Sequence, residues 1–212
     1  MKKIIFLLIV ATNFSFSVFA QSDRYVGAMA STLQEFGAAK TAEEFAAAEA
    51  KFERIADAEK TQWLPYYYAA LVKGRMAQQG MGGDADKVAD DAQALLDKAA
   101  ALSPNNSEIF CVKYIIITAK LLVDPQSRYM QYMGPMTEAL ETAKKADPTN
   151  PRPYALQAIG LKNTPEQFGG GCTPAKPLAQ KALDLFGSFK PASPLNPNWG
   201  KEMVEGIIKD CK

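Results

Sequence analysis

The sequence predicts an all-α chain built as a stack of helix pairs, and three observations carry that expectation. Displaced against itself by 44 residues, the chain brings "EKTQWLPYYYAAL" onto "SPNNSEIFCVKYI" and then onto "DPTNPRPYALQAI". Tyr66, Phe110 and Tyr154 coincide, as do Leu71, Ile115 and Ile159, while Pro104 meets Pro148. Repeats of this length made of helix pairs form solenoids, in which each unit buries its apolar face only against its neighbours. Alternation of period two, the mark of a strand, is missing throughout. Ala, Leu, Lys, Gln and Glu, all good helix formers, fill the stretches between Pro and Gly.

The elements can be justified in order. Thr41 and Glu44 form a capping box opening "TAEEFAAAEAKFERIADAEK", where Phe45, Ala48, Phe52, Ile55 and Ala56 mark one face. "KVADDAQALLDKAAAL" repeats the pattern with Val88, Ala92, Leu95, Leu96, Ala99 and Leu102. Asn106 or Ser107 caps a helix running to about Val123, and Gly134-Pro135 introduces one ending at Ala146. Pro151 and Pro153 suit a first turn, where a missing amide hydrogen costs little. The first helices of the pairs are expected at 23–38, 62–79, 107–123 and 151–163. The second helices are expected at 41–59, 86–102, 135–146 and 174–188. A Pro-rich linker, 189–198, then leads to a terminal helix at 199–210 that caps the stack.

The first 20 residues read as a signal peptide: Lys2 and Lys3, a short apolar core from Ile4 to Ala11, and small residues before cleavage after Ala20. The apolar run is too short to span a bilayer, so no stable membrane insertion is expected after cleavage. Export places the remainder, 21–212, in the periplasm or outside the cell as one helical-repeat domain. Setting aside Lys2 and Lys3 leaves 22 basic residues against 23 acidic ones, with no basic surface of the kind nucleic acid requires. The chain has no histidine. That removes the Ser–His–Asp and Cys–His mechanisms and the commonest metal ligand, so neither a catalytic nor a metal site is expected.

The helix pairs resemble tetratricopeptide repeats, most clearly from Gln62 to Leu161. Tyr66, Phe110 and Tyr154 supply the large aromatic of the first helix, and Ala70 and Ala158 the small residue one turn on, where Tyr114 departs from the pattern. Ala92, Leu96, Ala99 and Pro104 follow the spacing of the second helix, and Ala143 with Pro148 repeats its ending. The resemblance implies a right-handed α-α superhelix of about four helix pairs. The family's step is about 34 residues, so ten more lie within each unit here, in "QQGMGGDAD", "DPQSRYMQYMGP" and "NTPEQFGGGCTP".

Those enlarged loops offer the candidate binding residues: Gln79 and Met81, Tyr129 and Tyr132, Gln167 and Phe168. Their glycines equally suit plain turning, with the aromatics packed beneath. The other candidate surface is the inner lining of the first helices: Tyr67, Leu71, Cys111, Ile115, Thr118, Ala155, Ile159 and Lys162. It is apolar enough to need an occupant, either a ligand or the last helix with Trp199, Met203, Val204, Ile207 and Ile208. The expected function is an exported, non-catalytic scaffold, without cofactor, that binds a protein or peptide, as the resemblance implies. The alternative is a periplasmic protein that binds a small solute or accompanies a transport system. Asp84, Asp86, Asp90 and Asp91 read as charges at a helix opening rather than as acids of a hydrolase or calcium ligands. Of the three cysteines, Cys172 and Cys211 are expected to pair across antiparallel helices, leaving Cys111 as a buried thiol.

Overall fold

Helix ends in this chain follow its capping residues closely. The computed structural model describes residues 23–211, so the expected leader lies outside the described residues. The helices are α1 (Asp23–Ala38), α2 (Ala42–Ala58), α3 (Trp63–Gln78), α4 (Ala85–Leu102), α5 (Ser107–Val123), α6 (Pro125–Ala146), α7 (Arg152–Asn163), α8 (Cys172–Ser188) and α9 (Lys201–Asp210). A short 3-10 turn, Glu166–Phe168, separates α7 from α8, and the described residues contain no strand. The capping box of α2 is complete: the Thr41 hydroxyl accepts from the Glu44 amide and the Glu44 carboxylate accepts from the Thr41 amide. Asp84, Asn106 and Asp124 cap α4, α5 and α6 through their side chains.

Two expected boundaries move. The segment "DPQSRYMQYMGP" is helical rather than a loop, and α6 begins directly after Asp124. Asp124 caps it and Pro125 occupies its first position, where proline is favoured. Pro135 falls inside the helix and removes one backbone hydrogen bond. Tertiary contact holds the added turns: the Arg128 guanidinium donates to both Asp86 oxygens, at 2.6 and 2.7 Å, and to the Lys120 carbonyl at 2.9 Å. The last helix starts at Lys201, which leaves Trp199 in the extended Pro-rich segment.

The packing runs from element to element. Each of α1 to α4 lies against the next, α5 lies against α3, α4, α6 and α7, and α8 packs on α7 and α9. Contacts between alternate helices fix their direction. Tyr67 of α3 donates to Glu108 of α5, 41 positions on, and a Cβ on Gly74 would sit 3.2 Å from Ile116. Between α5 and α7, Asn150 donates to Ser107 and Arg152 to Glu108, at separations of 43 and 44. Further along, Gly160 faces Tyr114, whose hydroxyl would lie 2.5 Å from an added Cβ. Thus α3, α5 and α7 run parallel, with a register close to the repeat in the sequence. Gly160 makes room for the one large residue at the small position. Since α5 is apolar all round and buried on most sides, it is the centre of the packing.

A buried polar cluster ties these helices to the C-terminal segment. Arg152, fully buried, donates to Glu108 at 2.8 Å and to the Pro197 carbonyl. Asn150 and Tyr67 also donate to Glu108, at 2.7 and 3.1 Å, and the Trp199 indole donates to the Tyr67 hydroxyl at 2.9 Å. The Tyr68 hydroxyl donates to the Leu195 carbonyl at 2.9 Å. Residues 189–199 therefore form a strap across the starts of α3 and α7, with Leu195 and Pro197 buried. The disulfide Cys172–Cys211, with Cα atoms 5.3 Å apart, fastens the end of α9 to the start of α8; Cys111 is a buried free thiol.

Three outcomes follow from this packing. Arg152→Met leaves Glu108 buried without its counter-charge and should destabilise the fold by about 3–5 kcal/mol in urea unfolding, with Glu108→Gln in the same chain recovering part of that loss. Replacing Cys172 and Cys211 together by alanine opens a loop closed at a separation of 39 residues and should cost about 3–4 kcal/mol in the same measurement. The third outcome concerns Glu49, whose carboxylate meets Lys73 at 3.2 Å, with Glu53 at 3.5 Å from the same amine. Burial, assisted by the hydrogen bond with Glu53 and opposed by Lys73, pushes the Glu49 carboxyl up to about 7. A raised acid contributes stability that is full below its ordinary range and is lost as pH rises through 7. Glu49→Gln should therefore gain on the wild type by about 1–2 kcal/mol between pH 5 and pH 8.

Candidate functional site

The parallel run of α3, α5 and α7 brings the connections that follow them to one end of the molecule. All six loop candidates lie there, in different settings. Gln79 and Gln167 are exposed, Phe168 is 67% exposed and Tyr129 44% exposed. Met81 and Tyr132 are half-buried and pack against the main core instead of standing free. The loop carrying Phe168 is tightly built. The amides of Phe168 and Gly170 donate to Pro165, that of Gly169 to Glu166, and that of Gly171 to Leu161. An added Cβ at Gly170 would fall 2.0 Å from the Thr164 carbonyl, so the loop closes only around glycine. A rigid turn thus holds a phenyl ring out in water.

The strongest apolar exposure lies where α5 passes into α6. Met130 is 88% exposed, Leu122 51% and Val123 45%. No local pattern in the sequence separates Leu122 from the core positions of α5, and Tyr129 and Met130 fall on helix because α6 begins at Pro125. Leu122 continues the inner stripe of α5, three and seven positions beyond Ile115 in the series Cys111, Ile115, Thr118, Leu122.

That stripe is covered at one end only. Tyr67, Leu71, Cys111, Ile115 and Ala155 are buried, while Thr118, Ile159 and Lys162 are half-buried. The Pro-rich strap and Trp199 supply the cover over the helix starts. The terminal helix, expected either to fill the inner face or to cap the stack, packs on α7 and α8 through Val204 and Ile207. The reason is the break at Gly200, which opens α9 with φ of 107° and separates Trp199 from the helix.

Two half-buried cations stand on the same stripes, Arg75 one turn after Leu71 and Lys162 on α7. Every other half-buried or buried cation among the described residues meets a carboxylate: Lys51 with Glu35, Lys73 with Glu49, Lys120 with Asp90, Arg128 with Asp86, Lys144 with Glu141, Arg152 with Glu108. Arg75 instead lies over two aromatic rings, 5.6 Å from the centre of Phe36 and 5.0 Å from that of Trp199.

Two pockets are formed by the described residues. A pocket of about 140 Å³ lies between α4 and α5, lined by Gln93, Asp97, Asn106, Phe110 and Lys113. Another of about 390 Å³ is an open depression beside the disulfide, lined by Thr173, Lys176 and Gln180. The first is below the roughly 300–1,000 Å³ of ordinary ligand pockets, and the second is wide open to solvent. A sizeable apolar ligand would find its matching surface at the uncovered end of α5. Among the described residues no group of three or more Cys, Asp or Glu is placed to hold a metal ion, and no helix is long and apolar enough to cross a membrane.

No family model matches the chain, and no curated protein matches it. Among solved structures it is similar to the HusA haemophore from Porphyromonas gingivalis, with 33% identity and a TM-score of 0.81. The match covers 91% of this chain and 94% of that one. With one-third identity along nearly the whole of both chains, this protein belongs to the family of the HusA haemophore.

Proposed function

We propose that this protein is an exported, non-catalytic haem carrier. Its cargo would lie against the uncovered apolar surface at the ends of α3, α5 and α7 and the start of α6. The observation that carries the reading is its kinship with a haemophore along 91% of the chain. The surface suits the cargo: a flat macrocycle gains affinity from apolar contact, and Leu122, Met130 and Phe168 offer that contact already exposed. With no histidine in the chain, any iron ligand here would be another donor, such as the tyrosines and methionines of the first turns of α6.

The proposed architecture is a right-handed, tetratricopeptide-like superhelix pairing α1/α2, α3/α4, α5/α6 and α7/α8, with α9 as the cap. The register of about one repeat between parallel helices supports it. The leader at 1–20, cleaved after Ala20, would deliver the protein to the periplasm or beyond, and the Cys172–Cys211 disulfide suits such an oxidising compartment. Of the two uses weighed from the sequence, the haemophore neighbour favours a small-molecule cargo over a peptide. A protein partner remains the second reading, supported by the exposure of Met130 and Phe168.

Titration of the mature chain with haemin, followed by its Soret band, should show saturable binding. Met130→Asp and Phe168→Asp should keep the helical spectrum and unfolding midpoint but weaken haemin binding by about ten-fold or more each. Saturable binding that ignores both changes would move the site elsewhere, and a wild type that takes up no haemin would overturn the reading.

A further inference from the structure

Arg75 is a charged group placed where charge is costly, and nothing in the described fold neutralises it. It stands in the last turn of α3 and is half-buried, and its guanidinium forms neither a hydrogen bond nor an ion pair with any described residue. Burial holds its guanidinium below the ordinary arginine range. The rings of Phe36 and Trp199 both lie within cation–π range of it, a contact that restrains the guanidinium while using none of its N–H donors. The other guanidinium on Trp199, that of Arg152 at 5.4 Å from its centre, pairs with Glu108 and donates to the Pro197 carbonyl through its two terminal nitrogens. Two arginines thus share one indole, and only one of them has its anion.

The position of Arg75 relates it to the uncovered surface. Gly74 packs on Ile115 and Ile116 of α5, and Leu122 lies six residues beyond Ile116, about 9 Å of helix rise. A flat amphiphile lying along the ends of α3 and α5 would direct an acid group to Arg75 and its apolar body toward Thr118 and Leu122. Haem has this character, an apolar ring carrying two propionates on one edge. Resting on the proposed haem-carrier function, we propose that Arg75 is the carboxylate-binding residue of this protein, its fork held ready by Phe36 and Trp199 to take a propionate of the cargo. A planar fork donating two hydrogen bonds to a carboxylate gives orientation as well as affinity. Arg75 would therefore decide which edge of the ring lies against the protein.

The test compares haemin with haemin dimethyl ester, which keeps the iron and ring and removes both negative charges. The wild type should bind the diacid about ten- to a hundred-fold more tightly than the diester. Arg75→Gln should lose most of that preference by weakening the diacid alone, and Arg75→Lys, which keeps charge without the fork, should fall between. Equal binding of diacid and diester by the wild type overturns the inference and leaves haem carriage standing, and this comparison needs no variant to fold. Arg75→Gln that keeps the full preference overturns it as well. Failure of the wild type to bind either porphyrin is the failure of the underlying function, and the inference falls with it.

Discussion

The ion pair between Arg152 and Glu108 is the constraint on which the remaining geometry depends. Both groups are out of water, so each requires the other together with further hydrogen bonds to offset the loss of hydration. The requirement draws in elements far apart in the chain. Glu108 accepts from α3 and from the turn before α7, and Arg152 needs the carbonyl of Pro197. A buried pair of this kind is weak evidence of net stability, since a well-packed apolar pair can do as well. What it fixes is position. Only with the strap in place is the guanidinium supplied on both sides, and only then does Trp199 reach Tyr67 and stack against Arg75.

The strap in turn decides which apolar surface remains for a ligand. Stacked helix pairs with apolar inner stripes would leave a long greasy trough, a hazard for any protein in water. Here Leu195, Pro197 and Trp199 cover the starts of α3 and α7, and the disulfide holds the end of the chain against α8. At the other end α5 passes directly into α6 at Asp124, and Leu122 and Val123 stay exposed. Arg128 pins the start of α6 to Asp86, so Tyr129 and Met130 are presented on a rigid helix instead of a mobile loop. In the proposed reading little ordering is left to be done on binding, which favours affinity.

Much of the fold was legible because neighbouring units contact each other through residues one repeat apart. Tyr66, Phe110 and Tyr154 recur for the same reason that Tyr67 finds Glu108 and Ser107 finds Asn150. The departure at Tyr114 was visible too, although its compensation by Gly160 depends on the register between α5 and α7. The start of α6 was misread because Gly134-Pro135 is a strong local signal, whereas the Arg128–Asp86 pair that overrides it spans 42 positions. The candidate site was legible in part. The enlarged connections come together at one end of the molecule, and exposed Phe168 and Tyr129 lie on it. Burial of Met81 and Tyr132 depends on side-chain packing that no local pattern specifies.

Arg75 shows where such reading stops. In the sequence it is one basic residue near a helix C-terminus, where a positive charge is favourable and needs no further account. Its distinction is negative, the want of a carboxylate, and that depends on every element around it. Phe36 comes from α1 and Trp199 from the strap, so the pair of ring contacts exists only once the Arg152 pair has drawn the chain's end across the face. The same interaction that closes one part of the apolar stripe therefore supplies the aromatic wall of the remaining part. A single buried ion pair thereby links the stability of the fold to the readiness of the proposed site.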